Sequence, residues 1–188
     1  MSLRPALFID RDGTLIEEID HCHNPDHVRI YPGAAAELVR SRSLGWVNII
    51  ITNQSGIGRG YFTVEQFHSV QRELYRQLGH TIDAAYMCPD LPDSQSDRRK
   101  PAPGMILEAA AEHGIDLKRS FMIGDKQIDI ECGQNAGVRT ILVSTGYGAN
   151  LQDCHPDFRA PTITEAIQIA LDKSFEMEAK PFSFSHDL

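Results

Sequence analysis

Short apolar runs alternate with longer amphipathic stretches along this chain. The segment Pro5 to Asp10 reads as a short buried strand that ends in a carboxylate. Gly33 to Leu44 reads as a helix, with apolar Ala36, Leu38, Val39 and Leu44. Trp46 to Thr52 is rich in β-branched residues and bounded by Gly45 and Asn53, which marks a second strand. Thr63 followed by Gln66 is a capping-box pattern and opens a helix that runs to about Leu78 and stops at Gly79. Ile82 to Cys88 is a third strand, and the polar, Pro-containing segment from Pro89 to Asp97 is a loop. Beyond it come a helix over Pro103 to His113, a strand over Phe121 to Gly124, a helix over Ile128 to Ala136 and a strand over Val138 to Val143. Gly114 and Gly137 terminate the two helices. Thr162 and Glu165 cap a last helix that is expected to reach about Leu171.

Strands separated by helices, with connections too long for hairpins, predict an α/β, Rossmann-like parallel sheet covered by helices on both faces. The expected organisation is one domain over residues 1–173 and a C-terminal tail over residues 174–188 that is loosely held or packs along the surface. In such sheets the site lies beyond the carboxyl ends of the strands, so the residues there carry the functional reading.

The first strand delivers Asp10-Arg11-Asp12-Gly13-Thr14. Two carboxylates two residues apart at a strand end are expected to point to one side, where their repulsion calls for a divalent cation between them. Hard oxygen ligands favour Mg²⁺. The second strand delivers Thr52-Asn53-Gln54-Ser55-Gly56, a hydroxyl followed by backbone N–H groups in a turn able to hold phosphate oxygens. Arg99-Lys100-Pro101 puts a planar fork and a point charge ahead of a helix. The fourth strand delivers Gly124-Asp125-Lys126, with Asp129 one turn further on. Any one of these clusters alone is ordinary turn or cap chemistry. Together, at one sheet edge, they supply a nucleophile, metal ligands and phosphate-binding cations.

Composition narrows the classes. With 188 residues, 41% hydrophobic and 23% charged, the chain can bury a sizeable core. The net charge of −8 argues against a nucleic-acid groove. No segment approaches the ~20 apolar residues of a membrane span, and no signal peptide is evident, so a cytoplasmic protein is expected. The four scattered cysteines, with no Cys-x-x-Cys pair, read as free thiols.

Four segments resemble the motifs of the haloacid dehalogenase (HAD) superfamily of phosphatases: Phe8 to Leu15, Ile51 to Gly56, Arg99 to Gly104 and Gly124 to Asp129. The stretches DRDGT, TNQSGIGRGYFT and RKPAPGM, with GDK, resemble most the group that hydrolyses heptose bisphosphate or histidinol phosphate, which lacks a large cap domain. The resemblance implies a Mg²⁺-dependent phosphatase acting on a small phosphate ester. The leading substrate is D-glycero-D-manno-heptose 1,7-bisphosphate, at its 7-phosphate, in carbohydrate metabolism that feeds lipopolysaccharide. Histidinol phosphate, a broader set of sugar phosphates and, against the charge, a nucleic-acid 3′-phosphate are the alternatives.

The resemblance also implies roles. Asp10 is the nucleophile that forms an aspartyl-phosphate, and Asp12 is the general acid and base. Asp10, Asp125 and Asp12, the last through its main-chain carbonyl, hold the metal. Lys100 and Thr52, with the N–H of Asn53, bind the transferring phosphate. Arg99 and Lys126 bind that phosphate or a second one, Asp129 supports the lysine or the metal, and Gln54 and Arg59 face the substrate. One departure stands out. Zinc-bearing relatives carry Cys-x-His and Cys-x-Cys around the loop after the third strand, whereas this chain has Cys88-Pro89-Asp90 and then Asp97-Arg98, so no structural zinc is expected. His21, Cys22, His23 and His27 fall in a loop that the resemblance hangs over the site. No apolar helix face calls for a partner, and a monomer is expected.

Overall fold

The computed structural model describes residues 3–178. Six strands form one sheet: β1 (Ala6–Ile9), β2 (Val47–Asn53), β3 (Ala84–Cys88), β4 (Phe121–Gly124), β5 (Arg139–Val143) and β6 (Phe158–Ala160). All neighbours pair in parallel, in the order β3-β2-β1-β4-β5-β6. The chain moves outward from β1 to β3, then restarts at β4 on the other side of β1, so the order reverses between β1 and β4. That is where a crevice opens in sheets of this kind.

The strands are nearly continuous apolar runs because both faces of the sheet are covered. Leu7, Ile9, Ile50, Phe121, Ile123, Ile141 and Val143 pack on one face, against α1 (Ala34–Ser43), α3 (Val64–Gln77) and α6 (Ile163–Glu178). Ala6, Phe8, Ile49, Ile51 and Met122 pack on the other, against α4 (Gly104–His113) and α5 (Gln127–Ala136). The period of two along each strand thus sends alternate residues into two cores.

Helix boundaries follow the expected chemistry. The Thr63 hydroxyl accepts from the Gln66 N–H while the Gln66 side chain accepts from the Thr63 N–H, closing the capping box of α3. Gly114 and Gly137 end α4 and α5 in the left-handed conformation, at φ 62° and 78°.

Several expectations are corrected. The last helix does not stop near Leu171: α6 continues to Glu178 and buries Ser174, so the segment expected to begin a loose tail at 174 starts as helix. Residues 179–188 of that tail lie outside the described residues. A short α2 (Ser55–Gly58) and the edge strand β6 were not foreseen. No helix among the described residues is long and apolar enough to cross a membrane.

Asn48, in β2 at the end of the sheet opposite Asp10, is buried and fully engaged. Its side chain donates to the carbonyls of Leu38 and Thr81 at 3.0 Å each and accepts from the Ser41 hydroxyl at 2.7 Å. The amide ties α1 and the approach to β3 to β2. Asn48→Leu takes the side-chain donor from the buried Thr81 carbonyl and a partner from the Ser41 hydroxyl, and is expected to destabilise the fold by about 1–3 kcal/mol in urea titrations while leaving turnover by the folded protein unchanged. A loss below about 0.5 kcal/mol would contradict this assignment.

Candidate active site

The register of β1 with β4 sets the centre. Ile9 pairs with Ile123, and the Asp10 N–H donates to the Ile123 carbonyl at 2.9 Å. Asp10 therefore emerges beside Gly124, and Asp125 follows one residue later. Asp129, on the first turn of α5, accepts at Oδ2 from the Lys126 N–H at 3.0 Å. Carboxylate oxygens of Asp10, Asp125 and Asp129, all buried, lie within 4.8 Å of one another. Gly13 leaves β1 at φ +84°, and a Cβ there would sit 2.4 Å from Asp125 Oδ2, so only glycine lets the chain pass this carboxylate.

Lys100 is the buried counter-ion. Its Nζ lies 2.6 Å from Asp10 Oδ1 and 2.6 Å from Asp129 Oδ1, and donates to the Ile51 carbonyl at 2.8 Å. Its main chain is clamped by Asn53: Nδ2 donates to the Lys100 carbonyl at 3.0 Å, and Oδ1 accepts the Lys100 N–H at 3.1 Å. Burial disfavours the charged ammonium, but Asp10 and Asp129 outweigh it and hold the lysine above its ordinary range. Asp125 is pushed up to about 7, first by burial and then by the charge of Asp10. Asp129 is also raised, by burial, with Lys100 opposing. Three buried carboxylates, two of them resisting ionisation, and hard oxygen donors fit a divalent cation of the Mg²⁺ type.

Asp12 departs from expectation. Its carboxylate does not join the acidic group. Instead Asp12 Oδ2 accepts from Arg11 Nε at 3.0 Å and Gln54 Nε2 at 2.8 Å, and Oδ1 accepts from Arg11 Nη2 at 3.0 Å. Both strand-end aspartates line the inner cavity described below, but only Asp10 joins the group that could hold a cation. The Gln54 amide also donates to Thr52 Oγ1 at 2.8 Å, linking the two strand ends.

Two cavities meet here. An inner one of about 50 Å³ is lined by Asp10, Thr52, Asn53, Lys100 and Asp129. An outer one of about 270 Å³ is lined by Glu18, His21, Gln54, Arg99 and Tyr147 among others. Asp12, Asn53, Lys126 and Ile128 line both. Lys126 Nζ lies 2.9 Å from Glu18 Oε2 and 4.9 Å from the Tyr147 ring centroid. Burial works against its charge, and Asp10 and Asp125 raise it in spite of that. Arg99 Nη1 donates to the Asp90 carbonyl at 2.7 Å, which holds the loop after β3 against the outer cavity.

Of the expected site residues, Arg59 alone is not brought in. It caps the end of α2, is exposed, and lines neither cavity. The loop over 17–31 is better held than its sequence suggests. Glu17 N–H donates to the Arg29 carbonyl and Tyr31 N–H to the Leu15 carbonyl. His21 meets Tyr61 edge-on at 4.9 Å, and His23 stacks on Phe62 at 6.0 Å. Gly56 makes room for this, since a Cβ there would meet the Phe62 ring at 2.2 Å and His21 Nδ1 at 2.9 Å. His27 is exposed in a single 3-10 turn over Pro25–His27. Cys88 is buried, its Sγ facing Asp90 at 3.4 Å and Ser96 at 3.9 Å. Sequence reasoning missed Glu18, which sits in a stretch without periodicity. It also missed Tyr147, whose position just past β5 at the same sheet edge was a usable signal.

Comparison with known proteins agrees with this geometry. A family model described as HAD-hydrolase-like matches residues 97–166. The chain is 35% identical over 185 residues to D-glycero-D-manno-heptose-1,7-bisphosphate 7-phosphatase of Thermosynechococcus vestitus, covering 88% of this chain and 94% of the relative. It is 40% identical over 147 residues to D-glycero-beta-D-manno-heptose-1,7-bisphosphate 7-phosphatase of Helicobacter pylori, covering 76% and 85%. Among solved structures, the D,D-heptose 1,7-bisphosphate phosphatase of B. bronchiseptica, crystallised with magnesium and phosphate, superposes with a TM-score of 0.83 at 28% identity, covering 90% of this chain and 99% of that one. With strand-end aspartates, a buried lysine and relatives aligned over nearly their whole length, this chain belongs to the haloacid dehalogenase superfamily of phosphatases, in the branch without a large cap domain.

Proposed function

We propose that the protein removes the 7-phosphate of a D-glycero-D-manno-heptose 1,7-bisphosphate, with Mg²⁺ as cofactor and Asp10 as covalent nucleophile. The observation that carries the chemistry is the buried carboxylate of Asp10, set against Lys100 at 2.6 Å at the floor of a cavity that widens outward. The relatives' names support the sugar.

Phosphate-ester hydrolysis is so slow unaided that the site must lower the barrier by on the order of 20 kcal/mol. Covalent catalysis divides that barrier. Asp10 attacks phosphorus, the ester P–O bond breaks, and Asp12 delivers a proton to the departing oxygen. Asp12 then takes a proton from the water that cleaves the aspartyl-phosphate, releasing phosphate and restoring Asp10. Lys100, Thr52 and the N–H of Asn53 bind the phosphoryl oxygens as charge builds on them. Magnesium, held by Asp10, Asp125 and the Asp12 carbonyl, would offset the repulsion between carboxylate and phosphate. Asp129 keeps Lys100 aimed. Lys126 and Arg99, in the outer cavity, face the rest of the substrate, where a second phosphate supplies a matching charge.

Phosphate release should be measured with magnesium on both anomers of the heptose bisphosphate, fructose 1,6-bisphosphate, histidinol phosphate and a 3′-phosphorylated oligonucleotide. One heptose anomer is expected to lead in kcat/KM by ~100-fold, about 2.7 kcal/mol of transition-state discrimination. Asp10→Asn is expected to fold and release phosphate from none of them. Equal, weak rates across the panel would remove the sugar assignment, and residual Asp10→Asn turnover above a few per cent would remove the nucleophile.

Metal binding has its own signature. Asp125 and Asp129 are harder to ionise in the fold than in the unfolded chain, so the metal-free fold holds extra protons and loses stability as pH rises from the ordinary aspartate range through neutrality. Magnesium at ~100 times its Kd is worth about 2.7 kcal/mol, or about 5–10 °C in Tm for a chain of this size. The shift is expected to be larger at about pH 8 than at about pH 5, and to vanish in Asp125→Asn. A shift independent of pH, or retained in that variant, would contradict the assignment.

A further inference from the structure

Arg11 is the largest fully buried side chain among the described residues. It stands between Asp10 and Asp12 in sequence, yet its guanidinium serves only one of them. Nε and Nη2 form a two-pronged fork on the Asp12 carboxylate, at 3.0 Å each. The guanidinium carbon lies 5.2 Å from the Phe67 ring centroid, over a ring supplied by α3. Nη1 is buried and meets no hydrogen-bond acceptor among the described residues.

As a purely structural element this is a poor arrangement. A buried guanidinium with an unsatisfied N–H costs more than an apolar side chain of the same volume, and a buried ion pair is often no better than hydrophobic packing. Sequence neighbours also need no ion pair to stay together. The arginine therefore adds little to folding. What it fixes is the direction of one carboxylate, and that carboxylate lines both the inner and the outer cavity. An ester oxygen joining a phosphoryl group in the inner cavity to a sugar in the outer one would cross at this boundary. Gln54 holds the same carboxylate from the neighbouring strand end.

We propose that Arg11 is a positioning residue, a buried fork seated on Phe67 that holds the Asp12 carboxyl at the boundary between the two cavities, where the leaving oxygen takes its proton. The inference rests on the reading of Asp12 as general acid and base. Arg11 acts through Asp12 and touches no reacting atom. Fixed geometry is worth much in such a step, since a misplaced proton donor forfeits most of a contribution of roughly 10²–10⁴-fold.

The test uses the full chain with magnesium and two esters. One is a sugar phosphate, whose alkoxide leaves only with a proton. The other is p-nitrophenyl phosphate, whose leaving group departs without one. Arg11→Met is expected to lower kcat/KM on the sugar phosphate by about 10–100-fold and to change kcat/KM on the aryl ester by less than about threefold, because kcat/KM reports the steps up to departure of the leaving group and not the later attack of water. Arg11→Lys, which keeps the charge and loses the fork, is expected to recover little. In the Asp12→Asn background, Arg11→Met is expected to cost less than a further threefold or so, because the group it positions is gone. If Arg11→Met does not fold, Phe67→Leu, which withdraws the ring beneath the fork, is expected to give a smaller loss with the same preference for the sugar ester. Equal losses of kcat/KM on both esters, or an undiminished loss in the Asp12→Asn background, would overturn the proposal. Full activity of Asp12→Asn by itself would instead overturn the acid–base reading beneath it.

Discussion

A lysine ammonium with almost no solvent contact sits between two carboxylates, and much of the site is built to keep it there. Lys100 needs Asp10 and Asp129 to be charged in a dry place, and they need it in return. Breaking such a set from one side typically costs about 3–5 kcal/mol, because the remaining charges stay buried without compensation. Each partner comes from a different element: Asp10 from the end of β1, Asp129 from the first turn of α5, and Lys100 from the loop that Asn53 of β2 clamps at both main-chain atoms. The triad therefore fixes the relative placement of three elements around the crevice where the strand order reverses. It also leaves Asp125 with an excess of negative neighbours, which is the electrostatic opening for a divalent cation.

Around this centre the site divides by depth. The inner cavity is small, charged and lined by side chains held in place by hydrogen bonds, which suits a phosphoryl group. The outer cavity is larger and ringed by longer side chains, with Lys126 balanced between Glu18 and the face of Tyr147. Arg99 is held by a main-chain carbonyl of the neighbouring loop rather than by a carboxylate. On the proposed reading, the chemistry rests on short-range, buried contacts, while recognition of the remainder of the substrate falls to residues that keep partial access to water.

How far this was legible in the sequence follows from the physics of each residue. Asp10, Thr52, Asn53 and Asp125 could be read because they end apolar runs, and a parallel sheet brings all such ends to one edge. Lys100 could be read as a cation near that edge, but its burial could not, since that depends on Asn53 holding its main chain. That Asp10 and Asp12 share a cavity was legible from their spacing, but a cation between their carboxylates was not, because Arg11 and Gln54 take the Asp12 oxygens. Arg11 drew no reading of its own from the sequence, because the ring its guanidinium lies over, Phe67, is more than fifty positions away. Arg59 was carried along with its motif although α2 turns it outward. Strand β6 is too short for a periodic signal, and α6 outran its apolar stripe because continued packing, including buried Ser174, overrides weak helix-stop cues.

The central claim is that Asp10 becomes phosphorylated during turnover. Asp12→Asn should be mixed with magnesium and p-nitrophenyl phosphate, whose leaving group needs no proton, quenched in acid within the first turnover, and digested for mass spectrometry. With the group that deprotonates water removed, the peptide carrying Asp10 is predicted to gain the mass of one phosphoryl group, to lose it slowly on standing, and to show no gain in Asp10→Asn. Phosphate released by Asp12→Asn at a measurable rate, with no phosphoryl group ever found on the Asp10 peptide, would contradict the account.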